Sequence, residues 1–408
     1  MRLLVLTESF DPARGGAERS LFELFRALCR LGLSVEVLAN SSPLKEPWLH
    51  TLEGPKISRR QGLAAFAARA REFCRQARPD IVHSITPAYG GDVYQPRAGC
   101  LPVLFEASLA RPAGPLAHRI RRLAFKFNAK RQALLALEKS LIAEGQALVC
   151  PVSQTSARHF IQAYRLAPER LQVVFNAVDI IVPGAEEKQR LRAAQRAEWG
   201  LKPSEKAALF VGHDFARKGL ATAIEAIYLA AVKEKRPWRL LVLGQDSSWP
   251  YRRLASRLGV GGLVSFLKPA KSAVPAMLAA DLLLLPSRFD PCSRVVLEAM
   301  ILGRPAATTP QDGASEAIED HKSGFILKGP DEAEAAARVM AALEDPRLAE
   351  AVSLAAQAKA EYLQVSRMAR ELAGIYEGLL AKKRSGQGAA LTGRVNRLAC
   401  PKAGRLLS

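Results

Sequence analysis

Long apolar runs, paired cysteines and internal repeats are all missing from this sequence. Without a run of roughly 18 apolar residues no helix is expected to cross a membrane, so any lipid contact should be peripheral. Cys29, Cys74, Cys100, Cys150, Cys292 and Cys400 stand singly, with no C-x-x-C pair and no companion histidine spacing. That pattern argues against a zinc site and suggests reduced thiols in a cytoplasmic protein. Thr7 and Glu8 interrupt the first apolar run too early for a secretory leader core. Aromatics are sparse at 6%, and the basic segments lack interleaved aromatics at RNA-recognition spacing. No helix-turn-helix or zinc module is visible either, so no specific nucleic-acid partner is expected; non-specific nucleic-acid binding is the weakest alternative.

What is present is a chain of 408 residues, 49% hydrophobic and 24% charged, the composition of an ordinary folded protein with two or three units. The charge is less ordinary, with 59 Lys and Arg against 39 acids and a net +20. Residues 107–132 contain seven basic residues and no acid, and residues 381–408 contain another seven and no acid. The surplus is therefore local, and it points to anionic partners at particular places.

Short apolar runs alternate with helical patterns, which predicts βαβ units and parallel sheets. Strands are expected at 3–6, 34–38, 81–84, 148–152 and 173–175, then at 208–211, 240–243, 264–267, 282–285 and 306–308. The rhythm restarts near 177–183, so two nucleotide-binding-type domains are expected, 1–178 and 179–380, with the last helix returning to the first domain. The tail 381–408 lacks apolar periodicity and is expected to be disordered.

Three strand-to-helix turns carry chemistry. Gly15 and Gly16 follow the first strand, where they serve either the turn's own backbone angles or the close approach of N–H groups to a phosphate. Gly212 opens a loop ending in Arg217 and Lys218, two adjacent cations at the carboxyl end of a strand, where open α/β sheets bind ligands. The third turn runs from Asp290 through Ser293, Arg294 and Val295 to Glu298. There a helix N-terminus suits phosphate and two carboxylates suit sugar and ribose hydroxyls.

Gly15-Gly16-Ala17-Glu18-Arg19, Asn176-Ala177-Val178-Asp179, Gly212 to Lys218-Gly219, Asp290 to Glu298-Ala299-Met300, Gly303-Arg304-Pro305, Asp312-Gly313 and Glu316 occur in this order. Over residues 1 to 380 the chain thereby resembles the GT-B glycosyltransferases of family 4, retaining, metal-independent enzymes that use nucleotide-diphospho-sugars. It is most similar to the lipopolysaccharide core α-glucosyltransferase branch, through residues 211–219, Gly91-Asp92-Val93-Tyr94 and Pro168-Glu169-Arg170. The resemblance implies two Rossmann-like domains facing each other across a cleft. Arg217 and Lys218 would bind the donor diphosphate and stabilise its departure, and Glu298 would hold the ribose. Asp290 would contact the donor sugar, while Gly15 and Gly16 would close the cleft. No cofactor or metal is implied. Asp290 is one methylene shorter than the family's usual Glu, Ser293 and Ala177 stand where Gly is common, and His213 stands where Arg is common.

His83, after a strand, and Asp92 are expected where the first domain faces the cleft, either one orienting the acceptor hydroxyl; for His83 a buried structural role stands beside this reading. In 107–132, Leu116, Ile120, Leu123, Phe127 and Leu134 fall on one stripe flanked by Arg119, Arg122, Lys126 and Lys130. A cationic amphipathic helix of this kind lies on an anionic membrane, or else turns its stripe to the core. The expected function is hexose transfer, with glucose the expected sugar, to a lipid-linked or phosphorylated saccharide, lipopolysaccharide core in particular, at the cytoplasmic face of the membrane. The alternative is a soluble glucan or small-molecule acceptor.

Overall fold

The computed structural model describes residues 1–52, 62–87, 91–109, 115–144, 147–267 and 272–385. The remainder, including most of the basic tail, Cys400 and residues 110–114 of the first basic segment, lies outside the described residues, as do the side chains of Leu116 and Arg121.

The first sheet is built from β1 (Arg2–Ser9), β2 (Ser34–Ser41), β3 (Leu49–Thr51), β4 (Ile81–Ser84), β5 (Val93–Tyr94) and β6 (Leu148–Val149), all parallel, in the order β3-β2-β1-β4-β5-β6. The second, also parallel, uses β7 (Lys206–Val211), β8 (Trp238–Leu243), β9 (Val264–Leu267), β10 (Leu282–Leu284), β11 (Ala306–Thr308) and β12 (Phe325–Ile326), ordered β12-β11-β10-β7-β8-β9. Each sheet reverses strand order at its first strand, which opens a crevice at the carboxyl ends.

Helices α1 (Gly16–Arg30), α2 (Gly62–Ala77), α3 (Leu101–Leu109), α4 (Pro115–Lys126), α5 (Ala129–Glu144) and α6 (Gln154–Tyr164) accompany the first sheet. Those of the second half are α7 (Ala185–Glu198), α8 (Leu220–Ile227), α9 (Trp249–Arg257), α10 (Val274–Ala279), α11 (Arg294–Ile301), α12 (Ala333–Ala342), α13 (Pro346–Gln357), α14 (Ala360–Leu363) and α15 (Val365–Arg384). None of the described helices is long and apolar enough to cross a membrane.

The chain leaves the first sheet at Ala177–Val178 and comes back at Leu363–Val365, and the two passages are bonded to each other. Val178 N donates to Leu363 O and Val365 N to Val178 O, both at 3.0 Å. After returning, α15 packs Val365, Met368, Ala369, Leu372, Ile375 and Tyr376 into the core of the first sheet beside Leu24 and Leu28 of α1. That spacing is a helix's single apolar face.

Two expectations need correction here. Residues 173–175 are extended but form no strand, because Pro151 has no N–H to continue the ladder from β6, leaving bonds in one direction, Gln172 N to Val149 O, Val174 N to Pro151 O and Asn176 N to Val152 O, each 3.0 Å. The start of the tail is not disordered either. Lys382, Lys383 and Arg384 complete α15, and Lys383 reaches Asp92 Oδ1 at 2.7 Å and Asp80 O at 2.9 Å.

One buried carboxylate fastens the helices of the first domain. Glu138 of α5 accepts from Tyr94 Oη and Tyr164 Oη at 2.7 Å each and from Leu101 N at 3.0 Å. Burial pushes it up to about 7 against the pull of those donors. Below its ordinary value of 4.5 the folded and unfolded chains both carry the proton, whereas between 4.5 and about 7 only the folded chain keeps it. Stability therefore falls as pH rises across this window and levels off above it. Thermal unfolding of wild type and Glu138→Gln from pH 4 to 8 should show the wild type losing ground to the variant only between those values. A pH-independent difference would contradict this placement.

Candidate active site

The cleft site begins with the turn after β7. Gly212 has no side chain, and the stem of Lys218 fills that space; a Cβ on Gly212 would lie 2.3 Å from Lys218 Cδ. Gly219 adopts φ +80° against the carbonyl of Pro286, where a Cβ would approach to 2.0 Å. Together the two glycines direct Lys218 towards the loop that follows β10. Its Nζ donates to Asp290 Oδ2 at 2.9 Å and to Ser293 Oγ at 3.2 Å. Arg217 joins from the other side, with Nη1 2.7 Å from Phe289 O and 3.5 Å from Asp290 Oδ2. Arg217 also pairs with Asp214 at 3.4 Å, so two carboxylates neutralise the two cations.

Asp290 is buried, and burial alone would raise it; the charges of Lys218 and Arg217 and the Cys292 N–H outweigh that and hold it below the usual carboxylate range. Asp312, fully buried nearby, is raised by its burial and by Asp290's charge. It accepts from Ser293 N at 2.9 Å, Ala314 N at 3.0 Å and Thr308 Oγ1 at 3.1 Å, which fixes the start of α11. Cys292, in the same loop, is buried and its thiol pushed well up, so it packs and does not act as a nucleophile. Val295 and Glu298 are half-buried in the first turns of α11, and Glu298 is raised mainly by burial.

The first domain closes over this loop. Ser153 Oγ donates to Pro291 O at 2.6 Å and Asn176 Nδ2 to Cys292 O at 3.0 Å. His159 of α6 stacks on Phe289 with ring centroids 5.6 Å apart. Glu316 caps α6, accepting from Gln154 N at 2.8 Å and Thr155 N at 2.6 Å. Gly15 and Gly16 lead into α1, and a Cβ on Gly16 would sit 3.6 Å from Arg294 Cδ, so the glycine loop faces the start of α11. The Arg294 side chain points away from the Lys218 pocket and reaches Glu23 of α1.

Two residues expected at the cleft are elsewhere. His83 lies mid-strand in β4, paired in register with Val5 and Val93, and is wholly buried. Its Nδ1 is 2.7 Å from Tyr376 Oη under α15, and burial lowers it to about 3, so it is a neutral core residue. Asp92 precedes β5, at the amino ends of the strands. It accepts from Val82 N at 2.8 Å and pairs with Lys383, at the end of the sheet opposite the cleft. The carboxylate at the cleft end of β1 is instead Glu8, whose N–H donates to Thr86 Oγ1 at 2.9 Å and whose side chain pairs with Lys130.

The basic segment is not one helix. α4 ends at Lys126, and α5 starts at Ala129, so Leu134 leaves the stripe and is half-buried. On α4, Phe125 turns inward to Phe105, with centroids 5.6 Å apart. Ile120 and Leu123 are 59% and 58% exposed and Phe127 78%, beside exposed Arg119, Arg122 and Lys126. For Ile120, Leu123 and Phe127 the core-facing alternative therefore does not hold. Lys130, expected to face lipid, is tied to Glu8.

Glu23, Asp312 and the Glu316 cap were missed as site residues. So was a cavity of about 260 Å³ lined by Phe215, Gly244, Asp246, Ser248, Arg252 and Phe266. It adjoins the Lys218 turn, since a Cβ on Gly244 would lie 1.9 Å from Gly212 O. Gly244 after β8 was the available signal, a glycine at the carboxyl end of a strand.

Residues 14–181 match the family described as Glycosyltransferase Family 4 and residues 192–359 that described as Glycosyl transferases group 1. Among curated relatives, the lipopolysaccharide glucosyltransferase WaaG of Escherichia coli (strain K12) is 28% identical over 50% of this chain and 55% of its own length. A D-inositol 3-phosphate glycosyltransferase of Nocardia farcinica is 30% identical over 51% of this chain and 47% of its own. The chain thus spans about half the length of these curated relatives. In fold, the crystal structure of WaaG superposes with a TM-score of 0.73 at 24% identity, covering 92% of this chain and 100% of that one. Anabaena HepE in complex with UDP-glucose gives 0.69 at 20%, covering 93% and 100%.

Breaking a buried ion pair from one side leaves an uncompensated charge, whereas removing both partners does not. Lys218→Met leaves buried Asp290 with the more distant Arg217 and should lower stability in urea by about 2 kcal/mol, and adding Asp290→Asn should recover part of the loss. Additive losses would argue against the pair. With both families matched in order and two parallel sheets meeting at this cleft, the chain belongs to the GT-B glycosyltransferases of family 4, the group 1 domain forming its second half.

Proposed function

We propose that the protein is a retaining hexosyltransferase that moves glucose from a nucleotide-diphospho-sugar to a lipid-linked saccharide, lipopolysaccharide core in particular, at the cytoplasmic face of the cell membrane. The carrying observation is the meeting of Arg217, Lys218 and the start of α11 around one point of the cleft. Cleaving a sugar-diphosphate bond builds negative charge on the leaving phosphate, and two fixed cations with a helix N-terminus stabilise it. Asp290 holds those cations ready and presents a carboxylate to the sugar hydroxyls. With a single acid beside the sugar, retention is expected through front-face attack guided by the leaving phosphate, not through a covalent intermediate between paired carboxylates. Glu298 accepts the ribose hydroxyls. The cavity beside Gly212 takes the nucleoside end, with Phe215 and Phe266 as its apolar wall and Asp246 as its polar group. UDP is the first nucleotide to test, because a neighbouring fold is known with UDP-glucose. In this reading no metal or cofactor takes part.

The acceptor is argued from α4. An apolar stripe of Ile120, Leu123 and Phe127 turned to solvent between basic residues suits an anionic lipid surface. Because Lys130 ties the following helix to Glu8, that surface adjoins the acceptor side of the cleft. The similarity to WaaG points the same way. A second reading, a soluble phosphorylated acceptor, is favoured by the relatives that act on D-inositol 3-phosphate.

UDP release from UDP-glucose should rise with vesicles carrying truncated lipopolysaccharide and not with inositol 3-phosphate; the reverse result selects the second reading. Glu298→Ala should lower kcat/KM at least about tenfold, as expected for losing hydrogen bonds to a charged group. Replacing Arg119, Arg122 and Lys126 by Gln should weaken binding to anionic vesicles on the order of a hundredfold, at about 1 kcal/mol per basic group. Unchanged vesicle binding would refute the membrane assignment of α4.

A further inference from the structure

Glu23 sits on the buried face of α1, far from the Lys218 pocket in sequence, and gathers donors from three segments. Its carboxylate accepts from Arg294 Nη2 at 2.9 and 3.1 Å, from Arg19 Nε at 3.0 Å and from the N–H of Asp179 at 3.2 Å. Arg294 is the first residue of α11, and Asp179 follows the passage between domains. The pair is enclosed, with Glu23 and Arg294 side chains only 8% and 11% exposed. Arg294 also has Ala177 O at 3.4 Å and Glu298 Oε1 at 3.5 Å.

One guanidinium group thus lies between two carboxylates, and it sits closer to Glu23. We propose that Glu23 is a positioning residue of the donor site, which draws Arg294 across the domain junction and so keeps the Glu298 carboxylate free to accept hydroxyls of the donor. This deepens, and rests on, the donor-site reading above. If Glu23 loses its charge, Arg294 keeps a buried positive charge whose nearest carboxylate is Glu298. It then turns onto Glu298 and competes with the donor's hydroxyls for the same oxygens. The start of α11 also loses its tie to α1, although Asp312 still holds Ser293.

The charged groups around Glu298 are Arg294 on its own helix and Arg19 and Glu23 on α1; Arg97, after β5, faces Arg294 and Glu23. Arg294 and Arg19 favour the ionised Glu298, and Glu23 disfavours it. Neutralising Glu23 while Arg294 closes on Glu298 should therefore move the acid limb of donor binding to lower pH. A role confined to packing would not move that limb.

The test is steady-state UDP-glucose turnover by the full chain and by Glu23→Gln, followed as UDP release from pH 5 to 8. The expected result is a KM for UDP-glucose raised about tenfold, kcat within about threefold, and an acid limb shifted down, tenfold being about 1.4 kcal/mol. Glu23→Asp keeps the charge and shortens the reach, so it should show a smaller rise in KM and the wild-type acid limb. It also serves where Glu23→Gln fails to fold. An unchanged KM in Glu23→Gln, or equal impairment of both variants with no shift of the limb, overturns this inference alone. No UDP-glucose turnover by the wild type overturns the donor reading together with it.

Discussion

The junction between the domains depends on placing charges out of water without leaving any of them alone. Asp290, Lys218 and Arg217 form one such group, and Glu23 of α1 with Arg294 and Glu298 of α11 forms another, half-exposed Arg19 standing at its edge. Each charge would be costly to bury singly. Their joint burial requires the turn after β7, the loop after β10 and the face of α1 to be in register together. The glycines at 212 and 219, the Asp312 brace and the Glu316 cap all serve that registration, because each removes freedom from an element that carries one of the charges.

Much of the architecture was legible because its strands are continuous apolar runs followed by helices of helical period. Leu282–Leu284 and Leu240–Leu243 have no other reasonable reading, and Arg217-Lys218 and Asp290 to Glu298 stand at strand ends, where ligands bind. The elements that escaped, β3, β5 and β12, are two or three residues long and carry too little pattern to separate from loop. Residues 173–175 misled in the opposite sense, having strand composition but a proline-interrupted neighbour.

The side chains misjudged in the first domain share one cause. The sequence pattern put His83 after a strand and Asp92 at the cleft because short apolar runs do not fix where a strand stops, and one end faces the cleft while the other faces away. His83 fell mid-strand under Tyr376, and Asp92 at the amino end beside Lys383. Glu23 was hidden for another reason. With Arg19 it reads as an ordinary pair one helical turn apart, and its decisive partner Arg294 lies 271 residues along the chain.

The two passages between the domains run side by side and exchange hydrogen bonds, Val178 with Leu363 and Val365. A single linker would let one domain spin about the chain as well as swing. Two bonded strands behave as a flat strip, which bends easily across its width and resists twisting. Such a strip favours a swing of one domain over a twist, an arrangement that keeps the residues of α1 opposite the first turn of α11.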